Sequence, residues 1–110
     1  MILPCQSEED FQRLLADSYS GPVFLLKHST RCPISAAAQA QFQRFAEDHP
    51  TVACWQVLVI EQRALSNLIA AETGITHQSP QVLRFSAGKP VWHAAHNSIS
   101  AAALAKALEG

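Results

Sequence analysis

At 110 residues, the chain can bury a substantial core in one domain but not in two. With 48% hydrophobic and 15% charged residues, it is a folded globular chain rather than a disordered one. A net charge of −1 excludes a broad nucleic-acid or anionic-membrane footprint, and neither partner is expected.

The longest apolar runs, such as Val57-Leu58-Val59-Ile60, fall far short of the roughly 20 residues of a membrane-spanning helix. No basic region leads into an apolar stretch near Met1, so no signal peptide is visible. Cys5, Cys32 and Cys54 make three cysteines, an odd, low count unlike that of a secreted disulfide scaffold. A reducing cytoplasm is the expected setting.

In chain order, Ile2-Leu3 is an apolar pair compatible with a short strand. Ser7-Glu8-Glu9-Asp10 is a helix start, a serine cap with an acidic first turn, and Phe11, Leu14 and Leu15 give that helix its buried face. Ser20-Gly21-Pro22 ends it. Val23 to Lys27 is a continuous apolar run, which predicts a strand buried on both faces of a largely parallel sheet. The helix after Cys32 places Ile34, Ala38, Phe42 and Phe45 near one stripe, and His49-Pro50 closes it. Val52 to Ile60 is the next strand, joined to the first by a helical crossover. Ala64 to Thr73 is a third helix with Gly74 as its stop. Val82-Leu83-Arg84-Phe85 and Val91-Trp92-His93-Ala94 form a hairpin around Ser86-Ala87-Gly88-Lys89-Pro90. Asn97 to Ser100 cap a closing helix over Ala101 to Leu108. The pattern is that of a single α/β domain.

Cys32 falls where a strand hands over to a helix, and Pro33 takes the first helical position, where its fixed φ fits and its missing N–H costs little. A helix N-terminus carries free N–H groups and partial positive charge, which favour thiolate over thiol. Arg31 adds a cation if it does not turn to solvent. The residue three after Cys32 is Ser35, not a second cysteine. A Cys-x-x-Cys pair resolves a mixed disulfide internally; this pair cannot, so the second thiol must come from elsewhere, and a small solution thiol is the natural supplier.

The remaining cysteines differ in expectation. Cys54, early in a strand, reads as core. Cys5 would share a pole with Cys32 if Ile2-Leu3 pairs in parallel, about 9–10 Å away across one intervening strand. A disulfide needs less than about 7 Å, so Cys5 is a candidate resolving thiol only with movement of the N-terminus. His28 and His77 flank the cysteine and proline segments and are candidates for tuning the Cys32 proton, against an ordinary surface or turn role. His93 and His96, three apart on a strand, face opposite ways. No Cys/His set has zinc-ligand spacing, and no metal is expected.

Three segments, Lys27-His28-Ser29-Thr30-Arg31-Cys32-Pro33-Ile34-Ser35, His77-Gln78-Ser79-Pro80-Gln81 and Val91-Trp92-His93-Ala94-Ala95-His96, resemble the monothiol bacilliredoxins, a thioredoxin-like family associated with bacillithiol. The resemblance covers nearly the whole chain and implies one thioredoxin-like domain over residues 1–110, with a mixed central sheet and helices on both faces. It implies Cys32 as the catalytic thiol within the motif Thr30, Arg31, Pro33, Ile34 and Ser35. It implies a cis bond before Pro80 that faces the cysteine, so that Ser79 can pair with an extended client segment. It implies a thiol–disulfide oxidoreductase with no tightly bound cofactor, with bacillithiol or another small thiol as co-substrate and with proteins carrying mixed disulfides as partners. Three other roles stand beside this one: a glutathione-using thiol transferase, a non-catalytic binding module of the same fold, and a thiol redox sensor.

Overall fold

The computed structural model describes residues 1–110. Strand β1 (Ile2–Pro4) leads into helix α1 (Glu8–Asp17), then β2 (Val23–His28), α2 (Pro33–Asp48), β3 (Ala53–Leu58) and α3 (Arg63–Thr73). The hairpin strands β4 (Gln81–Ser86) and β5 (Lys89–Ala95) follow. A short 3-10 turn at His96–Ser98 precedes the closing helix α4 (Ala101–Glu109). The five strands form one sheet in the order β1-β3-β2-β4-β5. β1, β3 and β2 run parallel, while β4 is antiparallel to β2 and β5 to β4.

The caps form where their residue types predict. Ser7 Oγ accepts the Asp10 N–H at 3.1 Å and Ser100 Oγ accepts the Ala103 N–H at 3.0 Å. Gly74 ends α3 in the left-handed region at φ 72°, where a side chain would be strained. The hairpin turns on Ala87 and Gly88, both at positive φ, and the Ser18 hydroxyl fixes its tip by accepting the Gly88 N–H at 2.8 Å.

β2 is the centre of the molecule, and all six of its residues are buried. Its side chains alternate between two cores. Val23 and Leu25 join Phe11, Leu14, Leu65 and Ile69 beneath α1 and α3. Phe24 and Leu26 join Phe42, Phe45 and Leu104 beneath α2 and α4. Phe24 meets Phe45 edge-on, with ring centroids 4.9 Å apart. The same alternation carries Lys27 to the α3 side, where it bonds Ser66, and His28 to the α2 side, where it bonds Ser35. The last two residues of the strand thus deliver one polar side chain to each face of the sheet.

The structure corrects the expected stripe of α2. Ile34 is 47% exposed, and the buried residues of the helix are Ser35, Ala38, Phe42, Phe45 and Ala46. Helix geometry gives the reason. Seven residues back from Phe42 lies within about 20° of the same direction, whereas eight residues back lies about 80° away. Ser35 is the former and Ile34 the latter. β3 is also shorter than the apolar run predicts: pairing reaches Val59, whose N–H bonds the His28 carbonyl at 3.0 Å, and Ile60 turns outward.

Candidate active site

Cys32 is the N-cap residue of α2, with extended backbone at φ −119° and ψ 121° and Pro33 directly after it. Its side chain caps no helix N–H, and the first turn of α2 carries no acid to oppose the terminal field. The cysteine is partly exposed, and all three cysteines are free. Beside it Arg31 and Thr30 are exposed; the Thr30 hydroxyl donates to Glu61 at 3.4 Å.

Ser35 does not face solvent. It is fully buried, its oxygen accepts the Ser29 N–H at 2.9 Å, and it lies 2.7 Å from His28 Nδ1. These contacts tie the loop before Cys32 to the first turn of α2. His28 is buried rather than a surface or turn residue as expected, because β2 runs one residue further than Lys27. Burial holds its imidazole below the usual range, against smaller upward effects of the Ser35 hydrogen bond and the Glu61 charge. Its hydrogen bond goes to Ser35.

On the other face of the sheet, Lys27 is 1% exposed, and its Nζ donates to the Ser66 carbonyl at 3.2 Å. Nζ also lies 3.3 Å from His77 Nδ1, which Ser66 Oγ approaches at 3.2 Å. Burial pushes the Lys27 ammonium down to about 8. His77 is exposed at its surface, but its Nδ1 edge turns inward to these partners. Burial there, then the positive charges of Lys27 and Arg63, hold it below the usual imidazole range. Gln81, opposite Lys27 in the sheet register, is buried and donates to the Thr76 carbonyl at 3.1 Å. The sequence assigns no site role to Lys27, Ser66 or Gln81, although Lys27 and Gln81 lie within the segments that carry the family resemblance. The available signal was a lysine at the end of a run predicted to be buried on both faces.

The Ser79–Pro80 bond is cis, as the resemblance implies, and Pro80 is buried. The main chain of Ser79 makes no hydrogen bond within the protein, and its buried hydroxyl also lacks a partner. The segment therefore offers a free edge ahead of β4.

Cys54 is a core residue, 1% exposed, with burial raising its thiol to about 11. Cys5 sits after β1, with β3 between β1 and β2. It too is 1% exposed, packed in the core beneath α1 and α3, and burial followed by the Asp10 charge pushes its thiol up to about 12. That environment opposes the resolving role.

A partly exposed thiol at a helix start, a cis-proline loop and this sheet define a thioredoxin-fold thiol–disulfide oxidoreductase. The family model of the monothiol bacilliredoxin BrxC matches residues 4–104, and the chain belongs to that family. A solved structure described as that of an oxidoreductase with a thioredoxin fold is 35% identical, with a TM-score of 0.89, covering 96% of this chain and 92% of its own. The thioredoxin of Malassezia sympodialis shares the fold at 19% identity and a TM-score of 0.78, over 99% of this chain and 89% of its own. The thioredoxin of Fasciola hepatica does so at 15% identity and a TM-score of 0.79, over 98% and 97%. No helix is long and apolar enough to cross a membrane.

Proposed function

We propose that the protein removes a low-molecular-weight thiol, bacillithiol, from protein mixed disulfides through Cys32, in the cytoplasm. The Cys32 thiolate attacks the bacillithiol sulfur of the mixed disulfide. A new disulfide forms between Cys32 and bacillithiol, the old bond breaks, and the client cysteine leaves as thiolate. A second bacillithiol thiolate then attacks the bacillithiol sulfur on Cys32, giving oxidised bacillithiol and free Cys32. No metal or bound cofactor takes part.

One observation carries this reading: Cys32 is the only cysteine with access to solvent, while Ser35 stands sealed where a second sulfur would resolve the bond. The monothiol route needs an outside thiol, and membership of the bacilliredoxin family supports bacillithiol as that thiol. The unpaired main chain of Ser79 supports a client strand laid beside Cys32.

Intact-mass analysis tests the proposal with a client carrying a bacillithiol adduct and, in parallel, one carrying a glutathione adduct. The expected result is transfer of bacillithiol to Cys32, release of the client, and regeneration on adding free bacillithiol. Equal or faster transfer of glutathione would reassign the thiol. An adduct that forms on Cys32 but is not turned over would make the protein a sensor. Removal at the wild-type rate by Cys32→Ser would sink the mechanism.

A further inference from the structure

Lys27 is a buried cation without a carboxylate. The ion pair found in the chain, Arg13 with Asp10, lies elsewhere, and Lys27 is satisfied instead by the Ser66 carbonyl and by His77 Nδ1. An ammonium can only donate. His77 Nδ1 must therefore accept, and an imidazole that accepts at Nδ1 carries its proton on Nε2. The Nδ1 edge is turned in toward Lys27 and Ser66, so the exposed remainder of the ring holds Nε2.

The charges around this ring share one sign. Lys27 reaches it from β2 and Arg63 from the start of α3, and both disfavour an imidazolium. Ser66 of α3 and Gln81 of β4, which also lie in this cluster, add no charge. The acid at this pole, Glu61, acts on Thr30 and on His28, which lies on the α2 side of the sheet. A neutral donor in a positive field suits an anion. His77 also stands two residues before Ser79, whose unpaired main chain is the edge proposed for the client.

Resting on the function proposed above, we infer that Lys27 is a positioning residue: it holds His77 in the Nε2–H form, and His77 gives that proton as a hydrogen bond to a carboxylate of the small-thiol half of the mixed disulfide. Arg63 is the second cation at the same spot. Bacillithiol and glutathione both carry carboxylates, whereas cysteamine carries none.

The test has two arms. In the first, ring nitrogen NMR of the free protein at neutral pH reads the tautomer. His77 Nδ1 is expected to be unprotonated in the wild type and to become a mixture of forms in Lys27→Met. In the second, transfer to Cys32 is timed from one client carrying either a bacillithiol or a cysteamine adduct. His77→Ala is expected to lower the bacillithiol-to-cysteamine rate ratio about tenfold, the scale of one hydrogen bond to a charged group. His77→Gln, whose amide N–H can replace Nε2–H, is expected to restore most of that ratio, and Lys27→Met to lower it by a smaller factor. A proton on Nδ1 in the wild type, an unchanged ratio in His77→Ala, or no rescue by His77→Gln would overturn the inference while leaving transfer by Cys32 intact. Failure of the wild type to take either adduct would overturn the proposed function, and the donor role with it.

Discussion

Ser35 stands three residues after Cys32, yet its hydroxyl lies 2.7 Å from His28 Nδ1 and accepts the Ser29 N–H at 2.9 Å. The position that would hold a second sulfur is thus spent on shaping the loop that carries the first. Ser35→Ala removes the acceptor of the part-buried Ser29 N–H and the partner of the buried His28 Nδ1. The expected loss is about 1–3 kcal/mol of folding stability, the cost of leaving buried polar groups unpaired. Urea unfolding of the variant measures it, and an unchanged midpoint would mean that water replaces the hydroxyl.

Ser35→Cys makes the opposite test of the same position. It restores the sulfur spacing of an internally resolving pair in the first turn of α2. The variant is expected to release a small thiol from its own Cys32 adduct without added thiol, and to lose two hydrogens in mass as an internal disulfide forms. The wild type should hold the adduct until a thiol is supplied. A variant adduct as persistent as that of the wild type would show that the hydrogen-bonded geometry at position 35 forbids the bridge.

The strands and helices were legible because each carries a local signal. Ser7 and Ser100 cap as serines before helices do, Gly74 stops α3, and the unbroken run from Val23 is a strand between two cores. Cys32 and Ser79–Pro80 were legible as motifs. The supports of the site were not. Lys27 lies 39 residues from Ser66 and 50 from His77, and only the folded crossover brings them together. Ile34 looked like a core residue because i, i+4, i+8 spacing ignores the drift of a helix over two turns. The burial of His28 is hidden in the sequence because the apolar run ends at Leu26, whereas β2 continues through Lys27 to His28.

Native-state alkylation separates the three thiols. Cys5 and Cys54 are each 1% exposed, with thiols raised to about 12 and about 11, so neither supplies thiolate near neutral pH in the fold. Iodoacetamide at pH 7.5 is expected to modify Cys32 alone, with Cys5 and Cys54 reacting only after unfolding. Peptide mapping reads this directly. Labelling of Cys5 at a rate comparable to Cys32 in the native protein would mean that the segment around β1 opens readily, and would return Cys5 as a resolving thiol.

Lys27 gives stability a pH dependence of unusual sign. In the fold it loses its proton near 8, whereas the unfolded chain keeps it to about 10.5. Between those values the unfolded state binds more protons, so raising the pH favours the fold. Below 8 both states are protonated and the full penalty stands; the gap between the two values converts to about 3 kcal/mol. Cys5 and Cys54 act in the opposite direction, because their thiols stay protonated in the fold while those of the unfolded chain ionise above 9.0. A comparison of wild type with Lys27→Met cancels the cysteines. Met removes the buried charge and also the two Lys27 hydrogen bonds, to the Ser66 carbonyl and to His77 Nδ1, a loss that does not change over the alkaline range. The stability of Lys27→Met relative to wild type is therefore expected to fall by about 3 kcal/mol from pH 7 to pH 10.5, whatever its starting value. Urea unfolding at intervals across that range measures the difference. A flat difference would mean that Lys27 titrates alike in the folded and unfolded chains, and that its burial carries no charge penalty.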